Sequence, residues 1–253
     1  MTNKLKYFVG NWKMFGDYSS FKIIYQTQRF LIKFKKRSIK NKVIFCVPST
    51  LISFFTKKLK SKLISIGAQN CHYQQSYGSF TGSVSALMLK KIGAKYIILG
   101  HSENRAEGDS NKLIKQKIQS ALNQKLNIIF CVGETLNQKK KKKTLMVLGN
   151  QIRNSLSKKF NPNKIIVAYE PVWSIGTNRV PKTKELKIIL QFIKNEFKKI
   201  FKTKKNPTTL YGGSVNGGNA ANFSLISEID GFLIGGASRS SKKFIDIMKN
   251  YYK

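Results

Sequence analysis

The sequence predicts an α/β fold, a closed (β/α)8 barrel in which residues 1–253 form a single domain. The first observation is that eight short apolar runs alternate with longer, Lys-bearing segments of helical pattern, as in parallel sheets built from βαβ units. The second is length, because eight runs in 253 residues leave about 32 residues per unit, which suits this barrel. The third is that no Gly-rich dinucleotide-binding motif follows the first run. Its absence disfavours the alternative, an open doubly wound sheet.

The predicted strands are short and mostly apolar, as expected of strands that are buried on both faces. In chain order they are Tyr7–Gly10, Val43–Val47, Leu63–Gly67, Tyr96–Leu99, Ile128–Val132, Ile165–Tyr169, Thr208–Tyr211 and Gly231–Ile234. The sixth strand stops before Glu170, because Pro171 has no N–H for the ladder. Pro181 is predicted to be the first residue of the helix that follows.

The formal net charge of +36 raises the question of a polyanionic partner. The basic residues are nearly all Lys and lie along every predicted helix, without the Arg clusters and interleaved aromatic residues that nucleic-acid readout favours. We therefore interpret them as solvated helix faces and expect no nucleic-acid partner. Gln138–Lys143, with its five consecutive lysines, is predicted to be a solvated loop. A polyanion-binding protein on a barrel scaffold is the alternative from a different functional class.

The cysteine count and the N-terminal sequence bear on the cellular compartment. Three cysteines, with no spacing typical of a metal or redox site, indicate a reducing compartment, and Cys131 is expected to be a small buried residue. The N-terminus runs directly into the first strand, and no apolar run approaches the roughly 20 residues that a membrane-spanning helix needs. We expect a cytoplasmic protein with no membrane association.

Polar residues follow several of the strands at the point where each one ends, and in a closed barrel these ends meet on one rim. The residues are Asn11, Trp12, Lys13, Gln69, Asn70, His101, Ser102, Glu103, Cys131, Glu134 and Glu170. Each alone also fits a structural role, and the convergence of Lys13, His101 and Glu170 favours catalysis. After Glu170 comes a loop with an apolar tip, Val172–Ile175. A base beneath a loop that excludes water is what proton abstraction needs.

The last two strands end in paired glycines, Gly212-Gly213 followed by Ser214 and Gly235-Gly236 followed by Ala237. Glycine lets backbone N–H groups approach a ligand closely, and a helix N-terminus favours an anion. The sequence therefore predicts a phosphate between these two turns.

The same residues carry a resemblance that covers essentially the whole chain. Seven motifs are similar, in order and spacing, to those of the triosephosphate isomerase family: Asn11–Met14, Ala68–Asn70, Gly100–Glu103, Cys131–Thr135, Ala168–Trp173, Tyr211–Val215 and Asp230–Ser238. The resemblance implies a TIM barrel, a homodimer and a glycolytic and gluconeogenic isomerase without cofactor or metal. Its substrates are dihydroxyacetone phosphate and D-glyceraldehyde 3-phosphate. Another phosphosugar isomerase on the same fold is the remaining alternative.

The resemblance also implies a role for each matching residue. Glu170 is the base, His101 the neutral electrophile kept uncharged by a helix N-terminus, Lys13 the stabiliser of negative charge, and Asn11 a positioner of the substrate oxygens. The phosphate is held by the backbone N–H groups of Gly176, Ser214, Gly235 and Gly236.

Supporting roles follow in the same way. Glu103 orients Lys13, Ser102 holds Glu170 while the lid is open, and Tyr211 and Ser214 latch the closed lid. The chain departs from the family pattern at Ser83, at Asn104 and in the lid at Asn178–Val180. Asn178 tolerates positive φ, so lid closure is still expected.

Overall fold

The barrel is closed and entirely parallel in the computed structural model, which describes residues 5–34, 40–59 and 61–252. The first strand pairs with both the second and the eighth. The strands are β1 Lys6–Asn11, β2 Asn41–Cys46, β3 Ile64–Ala68, β4 Tyr96–Leu99, β5 Asn127–Val132, β6 Ile165–Tyr169, β7 Thr208–Tyr211 and β8 Gly231–Ile234. The predicted (β/α)8 barrel is thus confirmed, with β2 beginning two residues early and β3 displaced by one residue.

Helices follow the strands and cover the outside of the barrel. They are α1 Phe21–Lys33, α2 Ser49–Lys58, α3 Ala86–Lys91, α4 Ser102–Ala106, α5 Asn111–Asn123, α6 Leu136–Lys140, α7 Thr144–Ser155, α8 Thr183–Phe201, α9 Ala220–Ser224 and α10 Ser241–Tyr251. The predicted start of α8 at Pro181 is wrong. Lys182 keeps an extended backbone as the N-cap, so the first helical residue is Thr183. Within the described residues, no helix combines the length and apolarity needed to cross a membrane.

The five-lysine segment is only in part the solvated loop that its charge predicted, because Lys141–Lys143 are exposed and outside any helix but the residues before them are helical. Its first part belongs to α6, because Thr135 and Gln138 form a capping box in which each side chain accepts a hydrogen bond from the other residue's backbone N–H. Lys139 is partly buried, forms an ion pair with Glu185 and lies over the Trp173 ring, 4.2 Å from its centroid. A local cap and two tertiary contacts therefore outweigh the repulsion between neighbouring lysines.

The core has two layers, one inside the barrel and one between barrel and helices. In β6, Ile166 and Ala168 belong to the inner layer, whereas Ile165, Val167 and Tyr169 pack outward against the helices. Side chains of a strand alternate between its faces, so the next inward position after Ala168 is Glu170. Because of this alternation, the Glu170 side chain points toward the inside of the barrel at the end of β6.

Candidate active site

A cavity of about 770 Å³ opens at the carboxyl-terminal end of the strands. By the alternation described for β6, positions that continue inward from β1, β7 and β8 are Asn11, Gly212 and Gly235. Nine of the predicted site residues line the cavity: Asn11, Lys13, His101, Glu103, Glu170, Gly176, Ser214, Gly235 and Gly236. Ser102 and Tyr211 are not among the lining residues.

Lys13 has a left-handed backbone with φ of 56°, which is costly for a residue that is not glycine. Three contacts hold it there. Its N–H donates to Asn11 Oδ1 at 3.0 Å, its carbonyl accepts from Gln69 Nε2 at 2.9 Å, and its Nζ lies 2.5 Å from Glu103 Oε1. Strained backbone of this kind is concentrated at functional sites. Gln69 was predicted to lie on the rim, but its contact with Lys13 was not predicted.

His101 is the N-cap of α4, and this position sets its tautomer. The backbone N–H of Glu103 donates to His101 Nδ1 at 3.2 Å, so Nδ1 presents its lone pair and a neutral ring carries its proton on Nε2. His101 Nε2 lies 3.3 Å from Glu170 Oε1, beyond the usual range of an N–H···O bond. A substrate oxygen that enters the cavity can therefore replace this long contact.

Glu170 is only 3% exposed, yet its Oε2 has no hydrogen-bond partner among the residues that the structure describes. Buried carboxylate oxygens are normally hydrogen-bonded, and unpaired ones call for a functional explanation. No hydrogen bond joins Ser102 to Glu170 in this conformation, so the role predicted for Ser102 stays a prediction. Glu170 lines the cavity together with the imidazole of His101 and the ammonium group of Lys13.

Gly212 leaves the space that the Glu170 side chain occupies. A Cβ at position 212 would lie 2.6 Å from Glu170 Cγ, far closer than two carbon atoms can approach without strain. The contact arises because β6 and β7 are paired through Tyr169 and Tyr211, which brings the next inward positions of both strands together. Gly212 was predicted only as part of a phosphate-binding turn, and this second function was missed.

Ser174 joins the lid, residues 172–180, to the end of β7. Its buried Oγ lies 3.0 Å from the Tyr211 hydroxyl, accepts a hydrogen bond from Ser214 N–H at 3.2 Å and donates to the Arg179 carbonyl. Burial raises the pKa of Tyr211 to about 12, so its hydroxyl stays protonated at neutral pH. Tyr211 and Ser214, the predicted latch residues, thus both contact Ser174, which was not singled out from the sequence.

Trp173 fixes the first end of the lid to β5. Its Nε1 donates to Glu134 Oε1 at 2.8 Å, and the Tyr169 hydroxyl lies 3.2 Å from both Glu134 carboxylate oxygens. Burial raises the pKa of the Glu134 carboxyl above its usual value, although these donors oppose the shift. Burial also raises the pKa of Tyr169, and the nearby Glu134 adds to that effect. Glu134 is therefore the residue at the end of β5 that holds the Trp173 indole in place.

The groups predicted to hold phosphate lie together at the mouth of the cavity. Gly176 has φ of 69°, a conformation that suits glycine, and Asn178 has φ of 59°, as anticipated for asparagine. Gly235 and Gly236 lie at the start of a short 3-10 helix, Gly236–Arg239, that follows β8. The Ser214 N–H is occupied by Ser174 Oγ in this conformation, so it must exchange partners before it can bind a phosphate.

The Cys131 thiol lies close to Glu170 but is not suited to act as a nucleophile. Burial raises the pKa of the Cys131 thiol well above its ordinary value, and Glu170 adds to the shift, so the thiolate that nucleophilic chemistry needs is disfavoured. In the described part of the chain, no group of three His, Cys, Asp or Glu residues is arranged to hold a metal ion.

Three comparisons agree on the relatives of this chain. The family model described as Triosephosphate isomerase matches residues 6–251. Proteins named triosephosphate isomerase include one from Brucella abortus, 37% identical over 244 residues that cover 96% of this chain and 95% of that protein. Another, from Zygosaccharomyces bailii, is 38% identical over 95% of this chain and 96% of its own length. The crystal structure of triosephosphate isomerase from Bartonella henselae superposes with a TM-score of 0.88 at 34% identity, covering 98% of this chain and 99% of that one. The chain belongs to the triosephosphate isomerase family.

Proposed function

We propose that this protein interconverts dihydroxyacetone phosphate and D-glyceraldehyde 3-phosphate by proton transfer through an enediolate. The observation that carries the proposal is Glu170, a buried carboxylate with one oxygen free of hydrogen bonds at the inner end of a cavity. A desolvated carboxylate beside an imidazole N–H is suited to remove a proton from carbon next to a carbonyl group.

In the proposed reaction, Glu170 removes a proton from the carbon beside the substrate carbonyl and returns it to the neighbouring carbon. His101 Nε2–H donates a hydrogen bond to the oxygen on which negative charge develops. Lys13 places its ammonium group near the same charge, held in position by Glu103. The hydroxyl proton moves between the two substrate oxygens through His101, so the isomerisation is balanced without an external acid or base.

Backbone N–H groups of Gly176, Ser214, Gly235 and Gly236 hold the phosphate in this proposal. The lid supplies Gly176, so phosphate binding and lid closure favour each other. Closure excludes water and thereby strengthens the electrostatic interactions around the enediolate. Exclusion of water also prevents the loss of phosphate from that intermediate.

The test uses Glu170→Gln, which keeps the size of the side chain and removes the base. In a coupled assay with glyceraldehyde 3-phosphate, we expect kcat to fall by about 10²- to 10⁴-fold, the usual contribution of a general base. Deuterium from D2O should enter dihydroxyacetone phosphate with the wild-type protein and not with the variant. An unchanged melting temperature shows that the fold is retained. Wild-type exchange in the variant would exclude Glu170 as the base.

We further propose that the chain acts as a cytoplasmic homodimer of one barrel domain each. Apolar side chains on two neighbouring loops support the dimer, because they are more exposed than a monomer needs. Met14 is 92% exposed and Tyr77 is 61% exposed, and Phe15, Tyr73 and Phe80 are exposed beside them. A second copy of the chain is the partner that these surfaces fit.

A further inference from the structure

The cavity extends beyond the residues assigned to the reaction and the phosphate. Its lining also includes Phe15, Arg239 and Lys243, which have no part in the proposed reaction or phosphate site. At about 770 Å³ the cavity lies in the upper part of the 300–1,000 Å³ range typical of drug-sized ligands, and a three-carbon phosphate fills only part of it. Residues of this outer part can therefore contact the phosphate group of a bound ligand.

Arg239 lies directly beside the phosphate-binding turn. One of its guanidinium nitrogens, Nη2, lies 3.4 Å from the point that a Cβ on Gly236 would occupy. This position places a fixed positive charge next to a backbone N–H group that is assigned to the phosphate. Arginine presents several N–H donors in a planar fork that matches phosphate oxygens.

The guanidinium group is oriented by an aromatic ring and not by an acid. Arg239 Cζ lies 3.8 Å from the centroid of the Phe15 ring, close enough for a stacked cation–π contact. Among the described residues, no carboxylate lies within salt-bridge distance of Arg239 and no acceptor is hydrogen-bonded to it. Its N–H donors are therefore open to a ligand.

We propose that Arg239 is a further substrate-binding residue, which contacts the phosphate dianion beside Gly236. The inference rests on the proposed isomerase function and adds a charged group to the backbone N–H groups that hold the phosphate. Lys243 reinforces the positive potential at the same rim, and Asp246 is the one carboxylate that lines this outer part among the described residues. The substrate class is a small phosphate monoester, which Arg239 distinguishes from the same compound without phosphate.

The experiment compares Arg239→Gln with Lys242→Gln, a matched control that removes an equal charge from an exposed residue outside the cavity lining. For Arg239→Gln we expect KM for glyceraldehyde 3-phosphate and Ki for inorganic phosphate to rise roughly three- to tenfold, as for an exposed cation facing a dianion. Turnover of glyceraldehyde, which has no phosphate, should not change. Arg239→Lys should restore part of the loss because it keeps the charge. The difference from wild type should shrink in about 0.5 M salt.

The assays distinguish failure of the proposed isomerase function from failure of the proposed role of Arg239. If wild-type protein does not convert triose phosphate, the proposed function fails. If it does, but Arg239→Gln leaves both KM and the phosphate Ki within the range of Lys242→Gln, the role of Arg239 is refuted. An equal loss of glyceraldehyde and glyceraldehyde 3-phosphate turnover would also refute it, because a general disturbance of the site does not discriminate between substrates with and without phosphate.

Discussion

Gly212→Ala should disable the enzyme through a single methyl group. The added Cβ would lie 2.6 Å from Glu170 Cγ, whereas ordinary contacts begin near 3.4 Å, so the carboxylate must move by close to an ångström. The backbone of Gly212 lies outside the left-handed region, so alanine adds no conformational strain there. Misplacing a catalytic group by about 1 Å costs on the order of 10²-fold in rate. We therefore expect kcat to fall about 100-fold while KM changes much less.

The assay is steady-state isomerisation in both directions, with thermal unfolding as a check on the fold. Gly217→Ala is the matched control, because its Cβ would meet its nearest neighbours, on Asp246 and Asn250, at an ordinary 3.4 Å. The reasoning is refuted if folded Gly212→Ala keeps kcat within threefold of Gly217→Ala. A crystal structure of the variant with Glu170 unmoved would refute it equally.

The remaining predictions concern the lid and the assembly. Ser174→Ala should lower the free energy of unfolding by about 1–3 kcal/mol in urea denaturation, because it leaves the Tyr211 hydroxyl and the Arg179 carbonyl without their partner. A loss below about 0.5 kcal/mol contradicts that account. Met14→Lys should shift the protein from dimer to monomer in sedimentation velocity at micromolar concentration, because a charge buried without a partner opposes association. An unchanged dimer in that variant argues against an interface at Met14.

The barrel and the convergence of its rim residues could be predicted because both depend on local regularities. Short apolar runs set the strands, and two-residue alternation carries Asn11 and Glu170 to the inside of the barrel. Strand boundaries differed from prediction by one or two residues, since pairing with neighbouring strands sets the ends. Thr135 and Gln138 form a capping box that marks the start of α6, and this signal in the sequence was missed.

What could not be predicted depends on contacts between residues far apart in the chain. Gln69 supports Lys13 across 56 positions, and no local pattern connects the two. The closeness of Gly212 to Glu170 follows from the register between β6 and β7, which the sequence of either strand does not contain. The three contacts of Ser174 depend on the conformation of the lid.

The contact between Lys139 and Trp173 changes how the lysine excess of this chain should be viewed. A run of identical residues invites the assumption that its members are interchangeable and that composition alone put them there. Lys139, however, lies over the ring that joins the lid to Glu134 and is paired with Glu185 at the start of α8, whereas Lys141, Lys142 and Lys143 are exposed. Loss of the Lys139 side chain would remove both of these contacts, whereas loss of any of those three exposed side chains would remove neither.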